Sequence, residues 1–183
     1  VLCLGSCALC SAAKRGASPH LPRNPSPPLL HDSILTTIGK SPLIRLRRLA
    51  PNGVDVYVKA EAFNPGGSVK DRIALSMIEE AEKRGDLKPG DTIVEATAGN
   101  TGLGLALVAQ QKGYPLILVL PDKMSQEKID MMRAYGATVV ITPTDVPGDS
   151  PEHYVNTAKR IAEETEGAFY VDQYHAPWNI DGH

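Results

Sequence analysis

The stretch that decides the fold is "TIVEATAGNTGLGLALVAQQKGYPLILVLP", residues 92–121. "TIVEA" (92–96) reads as a strand, rich in β-branched and apolar residues. A loop of small residues follows, and the run from about Asn100 to Lys112 reads as a helix that Gly113 ends. "PLILVLP" (115–121) is then a second strand. It is a continuous apolar run rather than an alternating one, as expected where helices cover both faces.

The same unit repeats downstream. Helix 126–135 leads to the strand "ATVVIT" (137–142), and helix 151–166 leads to "AFYVDQY" (168–174). Upstream, "VDVYVKAEA" (54–62) alternates and reads as a strand. Gly85, Gly113, Gly136 and Gly167 mark helix ends. Strands alternating with helices imply a parallel sheet with right-handed crossovers. The expected class is α/β, a parallel sheet with helices on both faces.

The 183 residues carry a net charge of −2 and are 42% hydrophobic, enough for one core of ordinary size. Near-neutral charge gives no electrostatic reason to expect nucleic acid or an anionic membrane as partner. No run approaches the roughly 20 apolar residues that span a bilayer. The chain opens on Val1 and stops at "WNIDGH" with no C-terminal signal, so it is not expected to be a complete natural protein.

Residues 1–31 differ from the rest. They hold no acidic residue, contain Lys14, Arg15 and Arg23, and become proline-rich. Such a segment is expected to be a disordered leader or an organelle transit segment. All three cysteines, Cys3, Cys7 and Cys10, lie there, leaving the body without a disulfide framework. A reducing, cytoplasmic location is expected, or an organelle if the leader is a transit segment.

Lys70 stands after the flexible "NPGGSV" run, with Ser68 as the expected N-cap. Ile73, Ala74, Met77, Ile78 and Ala81 recur at helical spacing. Lys70 therefore falls in the first turn, at the positive end of the helix dipole. A cation is locally unfavourable there, so more of the amine is expected to be neutral and nucleophilic, which suits Schiff-base chemistry. The alternative is a surface lysine paired with Asp71 or Glu61.

The loop 97–101 precedes a helix whose exposed N–H groups can bind a carboxylate or phosphate. Its glycines, Gly99, Gly102 and Gly104, are spaced G-x-x-G-x-G, which is not the dinucleotide fingerprint. No acidic residue ends the next strand to hold a ribose. "KMSQEK" (123–128) is similar to the ATP loop of class I aminoacyl-tRNA synthetases, with nothing else in support.

Taken in order, "GKSPLIRL" (39–46), "NPGGSVKDR" (64–72), "TIVEATAGNTGLGLALVA" (92–109), "PDKMSQEKIDMMRAYGATVV" (121–140) and "DQY" (172–174) resemble the cystathionine β-synthase and cysteine synthase family, fold-type II pyridoxal-phosphate enzymes. The resemblance implies that residues 32–183 are the N-terminal part of the catalytic fold, with about 90–175 forming its smaller, Rossmann-like domain. It implies pyridoxal 5′-phosphate linked to Lys70, with Asn100 at the cofactor's ring hydroxyl. Thr97, Ala98, Gly99, Asn100 and Thr101 would grip the amino-acid carboxylate, assisted by Gln173. Ala98 departs from the family's usual serine and so lacks one hydroxyl.

The implied reaction replaces the β-substituent of L-serine or an activated serine. Cystathionine synthesis from serine and homocysteine is the first reading, and cysteine synthesis from O-acetylserine and sulfide is the second. The third is an inactive truncated product, since the family's phosphate-binding loop belongs downstream of His183. The resemblance also implies a homodimer for the whole protein and small amino acids as its substrates. Cys7 and His20, 13 residues apart by subtraction, stand in a Ser-Pro-His context ahead of "IGKSP". This resembles the haem-binding leader of animal-type members, and implies haem iron held by that pair. Cys10 offers a competing thiol.

Overall fold

The computed structural model describes residues 30–183, which form two compact units. In the smaller, residues 43–59, β1 (Leu43–Leu46) pairs antiparallel with β2 (Val56–Lys59). Leu43 lies opposite Lys59 and Leu46 opposite Val56, and Arg45 is ion-paired with Asp55.

The larger unit, residues 31–42 and 60–183, carries the parallel sheet. Its strands are β3 (Thr92–Ala96), β4 (Leu116–Pro121), β5 (Thr138–Thr142) and β6 (Ala168–Tyr170). Their order is β5-β4-β3-β6, and every pairing is parallel. The chain therefore runs outward from β3 through β4 to β5, then returns to place β6 on the other side of β3.

The helices are α1 (Lys70–Arg84), α2 (Asn100–Lys112), α3 (Gln126–Ala134), α4 (Tyr154–Glu164) and the short α5 (Trp178–Asp181). One core gathers α1, α2 and α3 around Ile93, Leu116, Leu118 and Leu120. The opposite face of the sheet, Val94, Ala96 and Val119, packs on Ala158 of α4. Helices thus cover both faces, and β3 and β4 are the buried centre, as their continuous apolar sequences imply.

All five periodic residues of α1, Ile73, Ala74, Met77, Ile78 and Ala81, are buried. Full burial of a side chain such as Ile73 contributes about 1.5–3 kcal/mol. Gly85 ends α1 at φ 77°, a left-handed conformation that glycine adopts without a Cβ penalty. From Thr101 to Ala109, α2 is buried on all sides because it lies between α1 and the sheet.

Several expected boundaries differ. The strand over 54–62 is only Val56–Lys59, since Glu61–Phe63 coils into a 3₁₀ turn. The strand over 168–174 ends at Tyr170, and Asp172 adopts φ 50°, left-handed backbone that cannot continue a strand. The helix over 151–166 begins at Tyr154, after a turn closed by the His153 N–H donating to the Ser150 carbonyl at 3.1 Å. The N-cap position of α1 is Val69 rather than Ser68, although the Ser68 hydroxyl accepts the Lys70 N–H at 3.1 Å.

The helices α1 and α2 run parallel. At one end a Cβ on Gly104 would lie 3.0 Å from the Lys70 carbonyl oxygen and 3.0 Å from the Ala74 Cβ. At the other, Lys112 Nζ donates to Glu82 at 2.7 Å and the Tyr114 hydroxyl donates to the same carboxylate at 2.9 Å. The neighbours of Gly104 are backbone and a short side chain, so neither can swing aside. Gly104→Ala should therefore destabilise the fold by about 1–3 kcal/mol, read as a lower urea midpoint with unchanged slope.

Candidate functional site

The strand order creates a switch point between β3 and β6, where successive connections leave the sheet in opposite directions. In open α/β sheets, ligands bind outside the carboxyl ends of strands at such a point. The loop 97–101 leaves β3 there, and Gln173 follows β6 there. Because α1 parallels α2, the start of α1, with Lys70, lies at this same end.

Lys70 is half-buried, and its ammonium makes no hydrogen bond or ion pair among the described residues. Neither alternative partner takes it. Glu61 is engaged by Arg72, whose Nε donates to Oε2 at 2.7 Å and whose second arm donates to Oε1 at 3.0 Å. Asp71 is fully buried and turns backward, its Oδ2 accepting the Gly66 N–H at 2.5 Å while Oδ1 has no partner among the described residues. Burial pushes its carboxyl up, the Gly66 N–H opposes this, and the Glu61 charge adds to the rise.

A network holds the turn that presents Lys70. Arg72 also donates to the Gly39 carbonyl at 2.8 Å and to the Ser41 hydroxyl at 3.1 Å. The buried Asn64 accepts the Gly39 N–H at 2.8 Å and donates to the Ser68 carbonyl at 3.0 Å. Within this turn Gly67 stands at φ 80°, which a side chain would strain. The residues "GKS" (39–41) and "NPGGSVKDR" (64–72) are therefore two halves of one hydrogen-bonded scaffold.

The loop after β3 offers donors. The N–H groups of Ala98, Asn100 and Thr101 have no acceptor among the described residues, whereas Gly99 N–H donates to the buried Thr97 hydroxyl at 3.4 Å. Asn100 is exposed, and its Oδ1 accepts from Lys128 Nζ at 3.2 Å. That bond directs the Asn100 amide N–H groups away from Lys128. The loop with Thr97, Ala98, Gly99, Asn100, Thr101 and the nearby Gln173 thus gathers at one end of the sheet. Lys70 stands at the same end.

Two residues in this region were missed by sequence reasoning. Lys128 belongs to "KMSQEK", where the ATP-loop likeness obscured its use. Glu95, in "TIVEA", interrupts an apolar strand, and a lone acid in a fully buried strand was the available signal. Glu95 is 0% exposed; its Oε1 accepts from Gln173 Nε2 at 2.9 Å, and its Oε2 has no side-chain partner among the described residues. Burial pushes its carboxyl up to about 8, although the Gln173 side chain and the backbone of Gln173 and Asp172 oppose the rise.

The sequence pattern of the family described as "Pyridoxal-phosphate dependent enzyme" matches residues 34–183. The chain belongs to that family. A cystathionine beta-synthase of Rattus norvegicus is 50% identical over 171 residues, covering 91% of this chain and 30% of its own length. A cysteine synthase of Staphylococcus aureus strain Mu50 is 48% identical over 153 residues, covering 83% of this chain and 48% of its own. The crystal structure of an O-ureido-L-serine synthase superposes with a TM-score of 0.77 at 47% identity, over 84% of this chain and 48% of that one. The chain thus spans less than half the length of these relatives.

Members of this family use pyridoxal phosphate, and the donor set here fits part of that group. A primary amine and a row of N–H groups, all without a partner among the described residues, flank one end of the sheet. Their α/β architecture is that of fold-type II enzymes of the family. Cys7 and His20 lie outside the described residues. Among the described residues no cluster of metal ligands occurs, and no helix is long and apolar enough to cross a membrane.

The Glu61 carboxyl is held at about 2, first by the Arg72 hydrogen bond, against burial, and then by Ser41 and Asn64. Its folded value lies below the unfolded one, so its stabilisation is complete above about pH 4.5 and is lost as pH falls towards 2. Glu61→Gln should lower stability at neutral pH by about 1.5–3 kcal/mol. The difference in urea midpoint between parent and variant should shrink as pH falls through that window.

Proposed function

We propose that this chain contributes the lysine and substrate-carboxylate side of an enzyme that replaces the β-substituent of L-serine or an activated serine. Cystathionine synthesis from L-serine and homocysteine, with release of water, is the favoured reaction. Cysteine synthesis from O-acetylserine and sulfide is the second reading, favoured by the 48% identity to a cysteine synthase. The observation that carries the proposal is Lys70 at the start of α1, free of any ion pair among the described residues, at the same end of the sheet as the donor-rich loop.

When bound, pyridoxal phosphate supplies an electron sink that acidifies the hydrogen on the amino acid's Cα. The N–H groups of Ala98, Asn100 and Thr101, with the Thr97 and Thr101 hydroxyls, would hold the carboxylate and so orient that hydrogen. The Lys70 amine would take the proton from Cα and return it after the incoming sulfur nucleophile has added at Cβ. Asn100, oriented by Lys128, would offer its amide N–H to the ring hydroxyl. Homodimer formation belongs to the same reading.

Borohydride treatment of the cofactor-loaded protein should fix phosphopyridoxyl mass on the peptide containing Lys70. Lys70→Ala should lose both this mass and the visible absorbance of the linked cofactor. Equal labelling of the variant would overturn the assignment.

A further inference from the structure

We propose that Glu95 is a positioning residue that decides whether Gln173 can reach the carboxylate of an amino-acid ligand. The inference rests on the reading of loop 97–101 and Gln173 as the carboxylate grip. Gln173 is buried, and its Nε2 donates to Glu95 Oε1 at 2.9 Å and to the Ala96 carbonyl at 3.0 Å. An amide nitrogen has two hydrogens, so both are engaged inward. The Ala96 carbonyl can only accept, which fixes the nitrogen end of the amide inward. What remains is the side-chain carbonyl, an acceptor that repels a carboxylate. To grip a substrate, Gln173 must surrender one inward bond and turn.

The bond to Glu95 is the one whose strength can change. Glu95 lies wholly in the interior with no side-chain partner on Oε2 among the described residues, and with its carboxyl pushed up to about 8 it is a neutral acid near neutrality. A neutral acceptor holds Gln173 about half as strongly as a carboxylate would. Ionisation therefore tightens the inward bond and also places a negative charge beneath a site that receives another. The groups around Glu95 are Asp172, which pairs with His175 at 2.8 Å, and the phenols Tyr170 and Tyr174. Both phenols are pushed up, Tyr174 to about 12, so they stay neutral while Glu95 titrates. The backbone N–H groups of Gln173 and Asp172 also act on the Glu95 carboxyl and oppose the rise.

The test uses the holoenzyme and β-hydroxypropanoate, which has the carboxylate and hydroxyl of serine without the amine. Its competition against L-serine should weaken about tenfold from about pH 6.5 to about pH 9.5, and Glu95→Gln should flatten that dependence. Gln173→Leu, severed from Glu95, should bind more weakly and without pH dependence. It carries the same test if Glu95→Gln fails to fold. An infrared carbonyl band of a buried protonated acid should be present in the parent chain at about pH 6.5, absent in Glu95→Gln, and should fade through about pH 8. An unchanged pH dependence in either variant, or no such band, overturns the role of Glu95 alone. Failure of both L-serine and β-hydroxypropanoate to bind the parent overturns the amino-acid site itself, and the inference with it.

Discussion

The site depends on how closely α1 lies along α2. Gly104 leaves no room for even a methyl group beside the Lys70 carbonyl and the Ala74 side chain, so the helices meet backbone to backbone at their starts. At their far ends Lys112 and Tyr114 converge on Glu82. Contacts at both ends of a parallel pair set translation and direction together. Since α2 leaves the carboxyl end of β3, this packing delivers Lys70 to the same end as the donor-rich loop.

The surroundings are organised by hydrogen bonding more than by apolar packing. Arg72, Glu61, Asn64, Ser41 and Gly39 form one connected network, in which the Glu61 carboxylate stays charged because a guanidinium grips it. Two other acids are treated in the opposite way. Asp71 and Glu95 are buried with no cation beside them among the described ion pairs, and burial raises both. Each caps backbone or amide N–H groups instead, Asp71 at Gly66 and Glu95 at Gln173. A polar group left in the interior costs stability unless it has such a partner, so both mark places where position is maintained against that cost.

Much of this was legible in the sequence because helical and strand periodicity is local. The five apolar positions of α1 are all buried, and α2 spans Asn100–Lys112 as its pattern implied. The ends of elements were less legible. Alternation in 54–62 gave no hint that the chain would coil into a 3₁₀ turn at Glu61–Phe63, where Glu61 meets Arg72. The run 168–174 looked like one strand, but its last residues turn at Asp172 towards Glu95. The contact of Lys128 with Asn100 joins residues 28 apart across a strand, and spacing along the chain carries no sign of it.

By itself, the sequence determined the α/β class and the membership of a pyridoxal-phosphate family. Those depend on periodicity and on the order of short motifs, which are properties of the chain as written. Only the tertiary structure decided that β6 returns beside β3, that Gln173 thereby meets Glu95, and that its amide faces inward. Strand order and hydrogen-bond partnership are settled by which distant surfaces exclude water together, and no local pattern encodes that choice.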